Sequence, residues 1–145
     1  MEELRRAVEA DVPALNALMH ASRAYDGDYR AMLDGYFVTP AQVARDFVVL
    51  AERGGETLGF YSLIVEVEPE LDLMFVADAA QGRDLGRRLF DHMRDQARAR
   101  GFPSVRIVCH PPALGFYRRM GAVQVGATEP TGRVTWARPI LQLAP

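Results

Sequence analysis

The 145-residue chain contains no lysine: all 17 of its basic residues are arginine. That absence removes phosphate loops built around a lysine and enzymes that form a Schiff base through a lysine amine. Cysteine is almost as scarce. Cys109 stands alone, so there is no internal disulfide framework, as suits a reducing compartment. Cys109 and the scattered His20, His92 and His110 show no zinc-ligand spacing. None of the serines, Ser22, Ser62 and Ser104, lies in a G-x-S-x-G turn. No apolar run approaches the roughly 20 residues of a membrane span, and Met1-Glu2-Glu3 is acidic where a secretory signal is basic. A net charge of −2 argues against a large basic surface for nucleic acid. The expectation is a soluble, cytoplasmic protein with neither nucleic acid nor membrane as partner and no metal.

What is present reads as one globular domain over residues 1–145, since 49% of the residues are hydrophobic and 25% charged. Residues 4–8 can open a sheet. Asp11 then caps a helix with Pro13 in its first turn and Leu15, Leu18 and Met19 on one face. Residues 24–36 break that period and read as a loop or irregular helix. Thr39-Pro40-Ala41-Gln42 has the pattern of a capping box, starting a short helix that ends near Asp46. Strands follow at 47–51 and 58–67 around an Arg53-Gly54-Gly55-Glu56 turn, then at 71–76. Leu85, Leu89, Phe90, Met93 and Ala97 form a helical core stripe, stopped by Gly101 and Pro103. A strand at 105–109, a short helix at 113–120 and a last strand pair at 123–125 and 134–136 complete a β-α-α-β-β-β-α-β-α-β-β order. That is a mixed sheet with helices packed on it, an α/β or α+β arrangement.

The stretch from Leu71 to Leu89, LDLMFVADAAQGRDLGRRL, carries the most chemical information. A strand runs into a glycine-containing loop that opens a helix, and a helix N-terminus offers unpaired amides and partial positive charge to a phosphate without any lysine. Gly82 and Gly86 allow close backbone approach, and Arg83, Arg87 and Arg88 can add bidentate contacts. An ordinary strand-loop-helix connection with surface arginines has the same pattern.

The residues Val76-Ala77-Asp78-Ala79-Ala80-Gln81-Gly82-Arg83-Asp84-Leu85-Gly86 resemble the acetyl-CoA motif of the GCN5-related N-acetyltransferase (GNAT) superfamily. That motif runs Val-x-Pro, two residues, then Arg/Gln-Gly-x-Gly-x-Gly/Ala before a helix. Gln81, Gly82 and Gly86 match in register, while Asp78 replaces the proline and Asp84 a glycine. Downstream, Ala113-Leu114-Gly115-Phe116-Tyr117-Arg118-Arg119-Met120-Gly121-Ala122 is similar to the family's A-x-x-F-Y-x-x-x-G-F/A segment, with Pro111 where an asparagine is usual. The two segments, with the helix and strand between them, cover about half of the chain.

The resemblance implies a mostly antiparallel sheet with helices on both faces and a V-shaped acetyl-CoA gap between the strands at 71–76 and 105–109. It implies that Phe75 and Val76 pair through their main chains with the pantetheine arm. The pyrophosphate would lie on the loop formed by Gln81, Gly82, Arg83, Asp84, Leu85, Gly86 and Arg87. It implies an N-acetyltransferase in which a primary amine attacks the thioester directly within a ternary complex, releasing CoA. Tyr117 matches the tyrosine that protonates the thiolate, although Ala113, Phe116, Tyr117 and Met120 also make a core-facing helical surface. For the base, Glu70 occupies the position of the glutamate in some members, and Asp72 lies two residues further along. Glu66 ends the preceding strand, and ordered water serves in many members. Between the first two helices, where the resemblance places part of the acceptor site, Tyr25, Asp26, Asp28 and Tyr29 mix carboxylates with aromatic rings. That mixture suits a cationic small-molecule or peptide amine but also a solvated loop. Homodimers are common in the family, and no residue here decides the point. Cys109 and His110 are neighbours on a strand and point to opposite faces, so a buried Cys109 without a covalent role is expected. A non-catalytic acyl-CoA-binding regulatory module on the same fold, suggested by Asp78 and Asp84, and a domain holding another nucleotide are the competing readings.

Overall fold

The central strands are buried on both faces, and their side chains, facing alternately, divide the core into two layers, one on each face of a single sheet. The computed structural model describes residues 2–82, 84–132 and 134–145, at Ala24 and Asp28 the backbone alone. The strands are β1 (Glu3–Arg6), β2 (Phe47–Arg53), β3 (Glu56–Ile64), β4 (Glu70–Val76), β5 (Val105–Val108), β6 (Val123–Ala127) and β7 (Pro139–Leu143). The helices are α1 (Val12–Ala21), α2 (Pro40–Arg45), α3 (Leu85–Ala99) and α4 (Leu114–Arg119), and short 3-10 turns at Arg23–Tyr25 and Gly27–Met32 lie between α1 and α2. The sheet order is β1-β2-β3-β4-β5-β7-β6. Every neighbouring pair is antiparallel except β4 and β5.

On β2, Val48 and Leu50 face one layer, with Leu15, Leu18 and Met19 of α1 and Val43 of α2. Val49 and Ala51 face the other, with Leu85, Leu89, Phe90, Met93 and Ala97 of α3 and Tyr117 of α4. The α3 stripe is thus the one its 3.6-residue period predicts. The β2–β3 hairpin turns at Gly54 (φ 58°) and Gly55 (φ 82°), the left-handed pair that a tight two-residue connection requires.

Two irregularities in β4 shape the molecule. Ser62 of β3 pairs with Leu73, but Leu63 pairs with Leu71, so Asp72 is an extra residue, a β-bulge. The bulge reverses the facing of the strand: Leu71 lies in the α3 layer, whereas Leu73 and Phe75 lie in the α1 layer. On its other side β4 meets β5 through only two pairs, Glu70 with Arg106 and Leu71 with Ile107. Beyond them the two strands separate.

Three local expectations are corrected. The final strand is not 134–136 but Pro139–Leu143, because Pro139, Leu141 and Leu143 alternate into the core and pair with β5. Residues 134–136 stay in the connection from β6, where Val134 forms one isolated bridge with Thr131. Asp11 does not cap α1 with its side chain. Its carboxylate turns back to accept from the Val8 N–H at 2.8 Å and from both terminal nitrogens of Arg5 at 2.8 and 2.9 Å. Only half of the capping box at α2 forms: Thr39 Oγ1 accepts the Gln42 N–H at 3.1 Å, while the Gln42 side chain goes elsewhere, to Asp72.

Gly59 lets α3 rest on the sheet. A Cβ there would stand 2.9 Å from Leu89 Cδ1 and 3.0 Å from the Phe75 carbonyl oxygen. Gly59→Ala should therefore destabilise the fold by about 1–3 kcal/mol, the scale of overpacking, measured as a lower urea midpoint with an unchanged slope.

Candidate active site

Three neighbouring cavities that share lining residues run from the N-terminus of α3 through the split between β4 and β5 to the far side of the sheet. The first part is a cavity of about 600 Å³ lined by Gln81, Gly82, Asp84, Gly86, Arg87, Arg94, Phe116 and Arg119, among others. Gly82 sits at φ 79° with open space where a side chain would be, so the loop backbone is bare to a ligand. At Gly86 a Cβ would meet Phe116 and Val76 at 3.7–3.8 Å, ordinary contact, so alanine fits there as well. The Gln81 side chain donates to the Val76 carbonyl at 3.1 Å and braces the loop against the end of β4. Three guanidinium groups, those of Arg87, Arg94 and Arg119, face this cavity against two carboxylates, Asp84 and Asp91. Bare backbone, a helix N-terminus and surplus positive charge fit a pyrophosphate.

Asp84 is a misfit within this loop. It occupies the N-cap of α3 with φ 58°, and its side chain makes no capping hydrogen bond. It is the one non-glycine residue with positive φ among the described residues, at a position where glycine would be unstrained.

The second part is a cavity of about 320 Å³ within the split itself, lined by Phe75 and Val76 on β4, Val108 on β5, and Tyr25, His110, Phe116 and Tyr117. Val76, Gln81, Gly86, Phe116 and Arg119 border both this cavity and the first. The Tyr117 ring is held between Phe116 at 5.3 Å and Phe90 at 6.0 Å, and burial pushes its hydroxyl well above the ordinary phenol range. Tyr25 stacks on His110 at 4.1 Å and meets Phe75 at 5.4 Å, while Tyr29 lies edge-on to His110 and to Trp136. Cys109 is buried, and burial raises its thiol, which suppresses the thiolate a nucleophile needs.

The third part, about 240 Å³, opens on the α1 side and is lined by Tyr25, Tyr36, Glu70, Asp72, Phe75 and Arg138, among others. Asp72 borders both this cavity and the split. Gln42 donates to Asp72 Oδ2 at 3.2 Å, and the Tyr36 hydroxyl lies 3.5 Å from the same oxygen. Burial pushes the Asp72 carboxyl up to about 6, and the charges of Glu70 and Asp46 add to the effect. A carboxyl poised there can exchange a proton near neutrality. Glu70 instead faces Arg106 at 4.0 Å.

Of the cofactor candidates, Phe75, Val76, Gln81, Gly82, Asp84, Leu85, Gly86 and Arg87 line the first or second cavity, and Arg83 lies outside the described residues. Arg88 turns away, donating to the Glu2 side chain at 3.1 Å and the Glu2 carbonyl at 2.9 Å. Of the acceptor candidates, Tyr25 lines the site and Tyr29 touches its His110 wall. Asp26 is exposed, Glu66 likewise, and neither borders these cavities; the Asp28 side chain lies outside the described residues. Gln42, Arg94, Arg119 and Arg138 were not flagged by the sequence. Gln42 could have been, as a second role for a capping residue, but the arginines are among 17 with no distinguishing pattern.

Comparisons with known proteins show the family and the fold. Residues 44–121, more than half of the chain, match the family model described as the Acetyltransferase (GNAT) domain. The chain belongs to that family. It is 30% identical over 90 residues to the IAA acetyltransferase of Azospirillum brasilense, a match covering 58% of this chain and 59% of that protein. Its fold is similar to that of the ribosomal-protein-S18-alanine N-acetyltransferase of Escherichia coli, with a TM-score of 0.76 and 18% identity over 99% of this chain and 94% of that one. The PaiA N-acetyltransferase of Thermoplasma acidophilum, solved in complex with coenzyme A, gives a TM-score of 0.77 and 15% identity over 99% of both chains. At these identities the two structures speak for the fold.

Asp84→Gly should leave the melting temperature of the free protein nearly unchanged. Relief of the left-handed strain, about 1–2 kcal/mol, is offset by roughly 0.5–1 kcal/mol of added unfolded-chain entropy together with the loss of about 0.3–1 kcal/mol of attraction between the carboxylate and the helix N-terminus. CoA affinity should tighten by about 1 kcal/mol, because a carboxylate no longer competes with pyrophosphate for the helix end. Isothermal titration of both proteins checks this, and unchanged or weaker affinity would show that Asp84 serves another contact.

Proposed function

We propose that this chain transfers an acetyl group from acetyl-CoA to a primary amine, by direct attack within a ternary complex. The observation that carries the reading is the pair of neighbouring cavities at the α3 N-terminus and in the split of β4 and β5, which share five lining residues, with Tyr117 on the wall of the second and Asp72 bordering both the second and the acceptor-side cavity. When bound, acetyl-CoA supplies the activated thioester. The loop amides of Gly82, Asp84, Leu85 and Gly86, with Arg87, Arg94 and Arg119, would hold its phosphates, and the open edge of β4 at Phe75 and Val76 would hold its pantetheine arm.

The amine must lose a proton and the departing thiolate must gain one. Asp72 is the base in this reading. It borders both the split and the acceptor cavity, and its carboxyl at about 6 is ionised at neutral pH yet still basic enough to accept. Gln42 and Tyr36 position it. Tyr117 is the acid. Burial makes its hydroxyl a weaker acid than free tyrosine, but the same dry surroundings raise the basicity of a thiolate formed beside it, which narrows the mismatch. The acceptor is a cationic amine, small-molecule or peptide, drawn in by the Glu70 and Asp72 carboxylates and the faces of Tyr25 and Tyr36.

Release of CoA thiol measured over an amine panel tests the reading. Turnover of at least one amine, depending on acetyl-CoA, is expected; CoA binding without turnover of any amine would favour a non-catalytic acyl-CoA-binding module. Tyr117→Phe should lower the chemical step by about 10²-fold or less, with CoA affinity nearly unchanged. Full turnover in that variant would make the tyrosine structural.

Asp72→Asn should lower the rate by about 10²–10⁴-fold and erase the rise of kcat/KM near pH 6, leaving only the later rise from the acceptor's own amine. Its stability profile has the opposite sense. The folded pKa is raised from 3.8 to about 6, so the folded chain binds more protons than the unfolded chain between those values, and wild-type stability falls as pH rises through that window. The asparagine variant should lack that fall and be the more stable protein above pH 6 in denaturant titrations.

A further inference from the structure

The acceptor-side cavity has one lining group whose bonding is incomplete. Arg138 Nε is fully buried and finds no hydrogen-bond partner, and among the described residues Arg138 forms no ion pair. A buried guanidinium N–H without an acceptor is costly. The residue is nevertheless firmly placed. Its N–H donates to Thr128 Oγ1 at 3.1 Å, its carbonyl accepts from the Thr128 N–H at 2.8 Å, and the next residue begins β7. Its charge reaches the Tyr25 hydroxyl, where it opposes the upward pull of burial. Two residues upstream, Trp136 Nε1 is a second buried donor without an acceptor.

The carboxylates of the same cavity are engaged elsewhere. Glu70 faces Arg106, and Asp72 is held by Gln42 and Tyr36. The cavity therefore presents anionic groups suited to an ammonium and, separately, a cationic fork still lacking its anion. A planar guanidinium matches a carboxylate with two parallel hydrogen bonds. The volume of about 240 Å³ corresponds to roughly eight waters at their liquid share, the size of a small metabolite.

Building on the acetyl-transfer reading, we propose that Arg138 binds a carboxylate of the acceptor, so that the acceptor is a small amino carboxylate, such as an amino acid, with its amine towards Asp72. Arg138 is then a specificity-determining residue, and a simple amine or a peptide N-terminus, which brings no carboxylate next to its amine, is a poorer substrate.

The test uses matched acceptors with the full chain and acetyl-CoA: amino acids of different side chains, the carboxamide of each, and the corresponding decarboxylated amine. In the wild type, amino acids should exceed their carboxamides in kcat/KM. Arg138→Gln should shrink that carboxylate-to-carboxamide ratio by about ten-fold to a hundred-fold, the worth of one hydrogen bond to a charged partner, mainly through KM. Arg138→Lys should restore part of it. Comparing ratios between proteins cancels the different basicities of the amines, and a merely structural role for Arg138 would lower both acceptors together. An unchanged ratio in Arg138→Gln, or equal use of all three acceptor forms by the wild type, overturns the proposal while acetyl transfer stands. If no acceptor turns over here or in the wider amine panel, the acetyl-transfer reading fails, and calorimetric binding of the same acceptors to the CoA-loaded chain decides about Arg138. Carboxylate-dependent binding that Arg138→Gln abolishes supports the anion site, and its absence overturns it.

Discussion

Two residue pairs hold β4 to β5, and everything that gives this molecule a site follows from the strands parting after them. A parallel pair continued to the end of β4 would bury its edge and close the sheet. Instead, one extra residue in β4, Asp72, bends the strand. The residues beyond it, 73–76, keep β3 on one side and have no strand on the other. The edge left open is a row of main-chain donors and acceptors, ordinarily a liability for aggregation. Here it lies inside the molecule, between Val108 on one side and the aromatic wall of Tyr25, His110 and Phe116 on the other. The α3 layer beneath, with Gly59 admitting Leu89 to the sheet, fixes where the helix N-terminus meets that edge.

The bulge also places a carboxylate where water is scarce. Asp72 is an unfavourable residue for stability: it is largely buried, it lies near Glu70 and Asp46, and its carboxyl is raised accordingly. Gln42 is taken from its capping role to hold it. Arg138 repeats the pattern with opposite sign, a buried donor without an acceptor. Locally unfavourable groups of this kind gather at sites where a ligand completes the bonding. Both line one cavity, whereas other charges of the chain pair in ordinary ways, such as Arg5 with Asp11 and Glu52.

Much of the fold was legible because periodicity was strong. The five-residue apolar stripe of α3, the Gly54-Gly55 turn and the Gln81-Gly82 loop each rest on contacts within a few residues of sequence. The failures share another cause, competition from distant partners. Residues 134–136 have better strand propensity than a segment that begins with proline, but Pro139, Leu141 and Leu143 reach the core and pair with β5. Asp11 preferred Arg5 to the helix end. In the candidate site, the loop residues and Tyr117 came from motif register, and the segment before α2 supplies Tyr25 and Tyr36 to the acceptor-side cavity but not Asp26. The carboxylates that line that cavity are Glu70 and Asp72 on the sheet. Which residue of β4 carries the bulge is settled by pairing with β3, and that no run of residues records.

A crystal structure of the chain with CoA tests the central claim most directly. The sulfur should lie in the split between residues 73–76 of β4 and Val108 of β5, within hydrogen-bond reach of the Tyr117 hydroxyl, with the pyrophosphate on the amides of residues 82 and 84–86. CoA bound along another surface, or a pantetheine arm leading away from Tyr117 and Asp72, would contradict it.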